Sequence, residues 1–289
     1  MHRLTHGLHD QVLNSDICPE NFEEIYRDFQ HYQQAAIDTL NEFHRVCEKN
    51  DIHYQLAHGS LLGAIRDGGQ IPWDYDVDVM VPIWERDHLV EVLKVDLNEK
   101  FYFYCPEVDC KCRHTIMRVA PKGYSTQVLH VDVFYYTASA DNDLERKQHQ
   151  EEIYRAVRMR YNKLVNCREV ATGNPRAFFS LLFKKKLPGQ FVSMKKIQHA
   201  YDQACWKYPH ENAKYYVSLD SFKRVYPVEN LENTMLFDSK SGTYRVSVNY
   251  EDVLQYRYGE YRELFPLESR LKEMMRSYRR LKYHQINEE

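Results

Sequence analysis

The spacing of apolar residues near the start of the chain predicts a long amphipathic helix. Between Pro19 and Asn50 the apolar side chains recur every three or four positions, so that they fall on one helical face. They are Ile25, Phe29, Tyr32, Ala36, Leu40, Phe43 and Cys47. Pro19 suits the first turn of this helix, where its missing backbone N–H is not needed. We expect residues 1–50 to form a helical segment that packs on the core.

After this helix the chain shows the signals of a strand, a tight turn and a short helix in succession. Ile52 to Ala57 is predicted to be the strand and Gly59-Ser60 the turn. Leu61 to Arg66 is predicted to be the helix, which Gly68-Gly69 ends. Gly59 and Ser60 therefore lie at a strand-to-helix turn.

A second strand is predicted from a strict alternation of apolar and polar residues. Valines at positions 77, 79 and 81 alternate with Asp76 and Asp78, which is the period of a strand. Pro82 closes this strand before a helix from about Trp84 to Leu97. Further short strands are predicted at Phe101 to Tyr104, His114 to Val119 and Val128 to Tyr136. This first half therefore indicates a mixed α+β sheet domain.

The second half of the chain is predicted to be richer in helix. Helices are expected at Asp141 to Cys167, Met194 to Trp206 and Glu268 to Tyr283, with strands at Tyr215 to Leu219 and Tyr244 to Val248. The run from Lys184 to Gly189 combines three lysines with Pro and Gly and is predicted to be a connection. We place a boundary there, between a core of residues 51–185 and a C-terminal α+β extension of residues 186–289 that completes the site.

Composition and charge exclude some classes of protein and partner. The formal charge of −3 gives no overall basic field, so we predict no nucleic-acid partner. Seven Cys, odd in number and irregularly spaced, fit a reducing compartment better than a disulfide framework, which favours the cytoplasm. Met1–His6 is not followed by an apolar signal region, and no stretch approaches the roughly 20 apolar residues of a membrane span.

Asp76 and Asp78 are the first candidates for chemistry. Because they are two apart on a strand, both carboxylates project from one face, about 6.6 Å apart along the chain, and can share divalent cations. Asp74 follows the same alternation and would add a third acid if the strand begins early. Mg²⁺ takes hard oxygen ligands and keeps waters and substrate phosphates in its other positions. A solvated acidic edge is the alternative interpretation.

Two further segments strengthen this interpretation. At the turn of Gly59-Ser60, backbone N–H groups and a hydroxyl can hold phosphate oxygens, and the glycine lets the backbone approach the ligand. An ordinary turn glycine is the alternative. Asp132 lies within the apolar strand from His130 to Phe134, where a carboxylate is costly to bury unless it is paired or binds metal. Asp132 therefore fits a third ligand.

A group of soft ligands lies elsewhere in the first half. Cys110, Cys112 and His114 alternate onto one strand face, and Cys105 precedes them. Their spacing matches none of the standard zinc motifs. Buried thiols are the alternative to a structural zinc site.

Two neighbouring segments resemble the signature of the LicD family. They are Gly59-Ser60-Leu61-Leu62-Gly63-Ala64-Ile65-Arg66 and Ile71-Pro72-Trp73-Asp74-Tyr75-Asp76-Val77-Asp78-Val79. Val131-Asp132-Val133-Phe134 resembles the third acidic strand of the family, and Tyr258-Gly259-Glu260-Tyr261 through Pro266 resembles its C-terminal element. Tyr75 and Glu260 depart from the family pattern, which often has Asp at both positions, but neither removes a predicted ligand.

The resemblance implies a nucleotidyltransferase-like α+β fold, with a mixed sheet flanked by helices and a mostly helical C-terminal extension. It makes Asp76, Asp78 and Asp132 the catalytic carboxylates and the ligands of Mg²⁺ or Mn²⁺. In the usual mechanism of this fold, a carboxylate such as Asp132 assists deprotonation of the acceptor hydroxyl, and an in-line attack expels CMP.

The same resemblance implies the residues that bind the donor. It makes Gly59 and Ser60 the residues that hold the donor phosphate. Asp74 is placed with them among the substrate-binding residues. Arg66 is a candidate phosphate contact, because a guanidinium can bind two oxygens at once. A surface ion pair is the alternative role for Arg66.

The characterised activity of the family is the transfer of a phosphorylated alcohol, such as phosphocholine, from a CDP-linked donor to a glycan. We therefore expect a transferase that acts on a cell-surface polysaccharide, lipopolysaccharide or teichoic-acid-like acceptor. A lipid-linked acceptor would bring it peripherally to the inner face of the membrane. Glycerol phosphate and ribitol phosphate stay open as the transferred group. The alternatives are a nucleotidyltransferase that uses a nucleoside triphosphate with an alcohol or sugar phosphate, and a noncatalytic glycan-binding scaffold.

Overall fold

The computed structural model describes residues 7–286 apart from residues 172 and 221, so that Met1–His6 lies outside the described residues. The α-helices are α1 (Leu8–Leu13), α2 (Phe22–Lys49), α3 (His58–Leu62), α4 (Arg86–Asp96), α5 (Asp143–Leu164), α6 (Cys167–Ala171), α7 (Pro175–Leu181), α8 (Leu187–Gly189), α9 (Met194–Cys205), α10 (Glu229–Glu232), α11 (Tyr250–Tyr258) and α12 (Leu267–Ile286). The strands are β1 (Gln55–Leu56), β2 (Val77–Pro82), β3 (Phe101–Tyr104), β4 (Met117–Pro121), β5 (Val131–Ser139), β6 (Tyr215–Ser218), β7 (Val225–Pro227), β8 (Thr234–Ser239) and β9 (Gly242–Ser247).

Most strands form one mixed sheet. Its main path is β1-β2-β5-β4-β3, and β6 pairs with β5 and with β7. The pair β2 and β5 is parallel, whereas every other neighbouring pair in the described sheet is antiparallel. The strands β8 and β9 form a separate hairpin. This mixed sheet with flanking helices and a helical C-terminus confirms the predicted α+β class, and β6 brings residues beyond 185 into the same sheet.

The long predicted helix is present as α2, which begins three residues after Pro19. Its buried face includes Phe29, Ala36, Phe43 and Cys47, as the periodicity predicted. These side chains share a core with the valines of β2 and β5. Because successive strand residues point to opposite faces, the remaining residues of β2 and β5 face away from α2.

Two local predictions differ from the structure. The helix predicted from Leu61 begins at His58 and continues as a π-helical turn, Gly63–Asp67, before Gly68 ends it in the left-handed region at φ 73°. The predicted connection from Lys184 to Gly189 is wrong, because a second π-helical turn, Leu182–Lys186, leads directly into α8. Pro188 is tolerated there because it lies in the first turn of α8, where a backbone N–H is not needed.

In the part of the chain that the structure describes, no helix combines the length and the apolar character needed to span a membrane.

Candidate active site

Asp78 and Asp132 are neighbours on the two parallel strands. Asp78 of β2 is in register with Asp132 of β5, and the valines that flank each aspartate are buried in the core. The two aspartates therefore project from the opposite face of the sheet. Asp76 lies one residue before β2 and is solvent-accessible, whereas Asp78 and Asp132 are partly buried. The fold thus gathers the three predicted acids at one end of the parallel pair.

Ser60 is tied directly to this acidic strand. Its Oγ accepts a hydrogen bond from the backbone N–H of Asp78 at 2.8 Å. The carbonyl of Asp78 in turn accepts a hydrogen bond from the backbone N–H of Ala57, immediately before α3, at 2.9 Å. A hydroxyl that accepts one hydrogen bond keeps its own proton to donate. Ser60 can therefore hold the strand and still offer a donor to a ligand.

Asp74 shapes the turn that leads into β2. Its Oδ1 accepts hydrogen bonds from the backbone N–H groups of Tyr75 at 2.8 Å and Asp76 at 3.3 Å. Burial raises the pKa of Asp74, although these hydrogen bonds oppose the shift. A Cβ at Gly59 would lie 3.5 Å from Oδ2 of Asp74, which is ordinary van der Waals contact. Gly59 is therefore not required by packing against this turn.

Unrelieved negative charge accumulates at the acids. Desolvation of its carboxyl, followed by the charge of Asp74, raises the pKa of Asp76 to about 6, even though the residue as a whole is solvent-accessible. Burial, followed by the charges of Asp132 and Asp76, raises the pKa of Asp78 well above its usual value. A bound cation would relieve this repulsion. Carboxylate oxygens are the donors that Mg²⁺ and Mn²⁺ favour, so Asp76 and Asp78 fit such an ion.

Asp132 differs from the other two acids because cations of the chain already pair with it. Its Oδ1 accepts a hydrogen bond from Nε of Arg118 at 2.8 Å and lies 3.3 Å from Nε2 of His130. Burial opposes ionisation, but the charges of His130 and Arg118 outweigh it and lower the pKa of Asp132 below its usual range. Asp132 is therefore an ionised carboxylate in a paired setting.

Within the described residues, no group of three or more His, Cys, Asp or Glu side chains has an arrangement that would hold a metal ion. Near the predicted cysteine group, the thiol of Cys112 donates to the carbonyl of His114 at 3.4 Å. The ring of His114 also accepts a hydrogen bond from Nε of Arg113 at 3.0 Å.

Arg66 has partners outside the acids. Its Nε and Nη2 donate to Oδ2 of Asp67 at 3.1 and 2.8 Å, and its guanidinium lies 5.3 Å from the centre of the Trp73 ring. The side chain is only 7% exposed. This arrangement corresponds to the ion-pair alternative, and a phosphate contact by Arg66 stays a prediction.

A large basic and aromatic cavity opens beside Asp132. Its volume is about 570 Å³, and its wall includes Asp132 and Arg118 from the sheet. Helix α5 and the π-helical turn that follows α7 contribute the aromatic and cationic side chains that matter for binding, which are Tyr154, Arg158, Tyr161 and Lys185. A cavity of this size suits a small-molecule ligand, and its cations favour an anionic one.

Two buried polar atoms in the cavity wall support a ligand there. Oδ2 of Asp220 and Oδ1 of Asn162 have no hydrogen-bond partner among the described residues. Both residues line the cavity. Buried polar atoms are normally satisfied, and an unsatisfied one needs an explanation such as a ligand or water.

His58 connects the start of α3 to Phe134 of β5 and to Arg224. It has a φ of 49°, which is strained for a residue other than glycine. Its ring packs edge-on against Phe134 at 5.0 Å and accepts a hydrogen bond from Nη1 of Arg224. Burial, followed by the charge of Arg224, holds the pKa of His58 well below its usual value. His58 is therefore neutral and positions the start of the helix that carries Ser60.

The predicted C-terminal element supports α3 as well. Tyr258-Gly259-Glu260-Tyr261 ends α11 and forms the following turn, with Gly259 at a φ of 63°. Helix α11 packs against α3, and Tyr258 lines a small pocket together with His58. The element therefore supports α3 and does not add a fourth acid to Asp76, Asp78 and Asp132.

Comparison with known proteins agrees with this geometry. Residues 51–173 match the model of the family described as LicD/FKTN/FKRP, nucleotidyltransferase domain. That range contains Asp76, Asp78, Asp132 and the Gly59-Ser60 segment. This match over residues 51–173 confirms the resemblance to the LicD family found in the sequence.

Individual relatives cover different shares of the chain. The lipopolysaccharide cholinephosphotransferase LicD of Haemophilus influenzae is 25% identical over 250 residues, which are 82% of this chain and 92% of that protein. The human ribitol 5-phosphate transferase FKRP is 48% identical over 46 residues, or 16% of this chain and 9% of that protein. Mannosyltransferase regulator 4 of Saccharomyces cerevisiae is 33% identical over 63 residues, or 22% of this chain and 5% of that protein.

The sequence did not single out several residues that the structure brings to the site. They are His130, Arg158, Lys185, Asp220 and Arg224. Only His130 had a usable signal, because it lies two positions before Asp132 and therefore on the same strand face. The others come from helices and loops distant in sequence, where a single cation or acid does not indicate a site.

Proposed function

We propose that this protein transfers phosphocholine or another alcohol phosphate from a CDP-linked donor to a cell-surface glycan, with release of CMP. The observation that carries the proposal is the position of Asp78 and Asp132 side by side on parallel strands, next to a cavity that favours anions. Two relatives support the kind of reaction, since one is named a cholinephosphotransferase and the other a ribitol 5-phosphate transferase.

Asp76 and Asp78 would hold the Mg²⁺ or Mn²⁺ ion in this proposal. Their raised pKa values support this role, because desolvation and, after it, the charges of neighbouring aspartates disfavour the ionised carboxylates, and a bound cation would offset both effects. When bound, the ion would supply charge neutralisation at the donor pyrophosphate. Asp132 would act as the third carboxylate and accept the proton of the acceptor hydroxyl through Oδ2, since both of its described contacts use Oδ1.

Ser60 and Gly59 would receive the phosphate that is transferred. The hydroxyl of Ser60 would donate to a phosphate oxygen while its Oγ still accepts from Asp78. Gly59 would leave room for the ligand to approach the backbone, and Asp74 would fix the turn that carries the acids. This assignment is supported by the absence of a packing requirement for a glycine at position 59.

The basic cavity would bind the nucleotide part of the donor. Arg158 and Lys185 are placed to meet the phosphates, and the rings of Tyr154 and Tyr161 offer faces for a base to stack on. A CDP-linked donor carries both an anionic diphosphate and an aromatic base, which are the two features that this cavity matches.

The cations next to these rings affect which alcohol phosphate the site favours. Nζ of Lys185 lies 5.3 Å from the centre of the Tyr161 ring, and Nζ of Lys223 lies 4.4 Å from that of Tyr154. These cations repel a quaternary ammonium, whereas an uncharged base can still stack on a ring beside them. The arrangement therefore favours the phosphate of an uncharged polyol, such as glycerol or ribitol, over phosphocholine.

A donor panel tests the proposal. The purified protein would be incubated with Mg²⁺ and, separately, CDP-choline, CDP-glycerol, CDP-ribitol and CTP, with and without soluble glycan, and the release of CMP and pyrophosphate would be measured. We expect CMP from at least one CDP-alcohol, faster with the polyols. Pyrophosphate from CTP alone would indicate a nucleotidyltransferase instead. Binding of glycan without turnover of any donor would indicate a noncatalytic scaffold.

A further inference from the structure

Residues 175–191 form a surface element that meets the proposed donor site only through Lys185. We call it the basic aromatic segment. It consists of α7, the π-helical turn Leu182–Lys186, α8 and the two residues that follow. The side chain of Asn174 caps its start by accepting a hydrogen bond from the backbone N–H of Ala177 at 3.2 Å, and Pro175 occupies the first turn. It is therefore a defined helical element on the surface of the protein.

The segment exposes large apolar side chains in a regular row. Phe179 is 55% exposed, Phe183 61%, Leu187 45% and Phe191 92%. Residues four apart lie on one side of a helix, and the rings of Phe179 and Phe183 stack with their centres 6.3 Å apart. No described residue of α7 or of the π-helical turn is buried. A contiguous exposed apolar row of this kind marks a binding surface.

The charge around this row is uniformly positive. Residues 170–201 contain six Lys or Arg and no Asp or Glu, in a chain whose formal net charge is −3. Among these cations, Arg176, Lys184, Lys195 and Lys196 are exposed. A helical element that combines exposed aromatic residues with flanking lysines is the pattern of an element that lies in the plane of an anionic membrane surface.

The polar side of the segment is fixed to the body of the protein. Nζ of Lys186 donates to the carbonyl of Lys163, at the end of α5, at 2.8 Å. The side chain of Gln190 donates to the same carbonyl and to that of Lys186, each at 3.0 Å. Lys185 lines the cavity beside Asp132. The element therefore reaches the cavity with one side and exposes its apolar row with another.

We propose that the basic aromatic segment binds the surface of a bilayer that contains anionic lipid. Phe179, Phe183, Leu187 and Phe191 enter the region between the headgroups and the acyl chains. The exposed cations contact headgroup phosphates, and they are Arg176, Lys184, Lys195 and Lys196. The proposal does not depend on the reaction assigned to the acids. Membrane binding would also affect where the active site lies. Because Lys185 lines the cavity, the cavity opening would be held near the lipid surface, where a lipid-linked acceptor would be found.

Vesicle sedimentation tests this proposal with the full chain. The vesicles would consist of phosphatidylcholine alone or mixed with phosphatidylglycerol. We expect binding to the mixed vesicles, weaker binding at high salt, and at least about a tenfold loss of affinity in the double variant Phe183→Ser/Phe191→Ser. Phe265→Ser is the matched control, because Phe265 is 67% exposed and lies outside the segment. It should bind like the unchanged protein.

Two further measurements make the outcome decisive. Lys184→Glu tests the charge contribution without touching the apolar row, and we expect it to weaken binding to the mixed vesicles only. Sedimentation equilibrium of the unchanged protein and the double variant tests whether the row instead joins two copies of the chain. The proposal is overturned if the mixed vesicles bind no better than phosphatidylcholine, if both variants bind unchanged, or if the double variant only dissociates a dimer.

Discussion

The Oγ of Ser60 accepts a hydrogen bond from the backbone N–H of Asp78 at 2.8 Å. This contact joins the two sequence motifs that lie 18 residues apart, the glycine–serine segment and the acidic strand. This hydrogen bond sets the distance between Ser60, which we assign to the phosphate, and Asp78, which we assign to the cation. Several experiments can separate this structural contribution from the chemical one.

Ser60→Ala should reduce both stability and activity. The partly buried backbone N–H of Asp78 would lose its acceptor, so we expect the free energy of unfolding to fall by about 1–2 kcal/mol. Ser247→Ala is the matched control, since Ser247 Oγ accepts the backbone N–H of Asn249 at 2.9 Å, away from the acids. Urea unfolding and CMP release would be measured for both. Equal activity losses in the two variants would show that Ser60 acts through stability alone.

Asp78→Asn and Asp132→Asn should have opposite effects on stability. The pKa of Asp78 is raised, so its ionised form is unfavourable in the fold, and its neutralisation should leave the protein at least as stable at pH 7 without divalent ions. Asp132→Asn removes the partner of buried Arg118 and should lower the free energy of unfolding by about 3 kcal/mol. Urea unfolding in a chelating buffer checks both. The same loss in both variants would contradict this electrostatic account.

Two glycines of the same motif should respond differently to alanine. A Cβ at Gly63 would lie 2.5 Å from the carbonyl oxygen of Gly69 and 3.0 Å from the backbone nitrogen of Ile71, so Gly63→Ala should shift this loop and destabilise the protein by about 1–3 kcal/mol. Gly59→Ala has only ordinary contacts and should fold normally but lose activity. Thermal unfolding and donor turnover check the pair. Full activity in Gly59→Ala would remove Gly59 from the ligand site.

The stability of the protein should fall below about pH 6.5, partly because of His149. This fully buried ring contacts Ser139 Oγ at 2.9 Å and the carbonyl of Ala204 at 2.8 Å. Burial lowers the pKa of His149 from its usual 6.5, so the unfolded chain binds a proton first as the pH falls. His149→Gln should reduce the slope of unfolding free energy against pH by up to about 1.4 kcal/mol per pH unit. An unchanged slope between pH 7 and 5 would contradict this.

The sequence was sufficient for features that depend on local periodicity. The apolar spacing of α2 and the alternation of β2 predicted the buried faces correctly. Periodicity succeeds there because each element buries only one side. The helical run from Lys184 to Gly189 was not predicted, because Pro and Gly usually end helices and the π-helical turn that precedes them has no local signal.

The partners of the acids could not be predicted for a different reason. Arg118 meets Asp132 only because β4 and β5 pair in one particular register, and Lys185 reaches the cavity from a segment more than 50 residues further along the chain. Such contacts follow from long-range packing and not from spacing. The residue pattern therefore predicted three acidic ligands without their partners, whereas the structure pairs Asp132 with Arg118 and His130 and leaves Asp78 beside other acids.

The most direct test of the central claim is the rate of CMP release as a function of Mg²⁺ concentration. It would be measured for the unchanged protein, Asp78→Asn and the control Asp16→Asn, which alters an exposed acid between α1 and α2. We predict that the unchanged protein and the control need Mg²⁺ and lose activity with a chelator. Asp78→Asn should be slower by at least about a hundredfold, equivalent to roughly 2.7 kcal/mol of transition-state stabilisation. Activity of Asp78→Asn equal to that of the unchanged protein, or turnover that is indifferent to the chelator, would contradict the account.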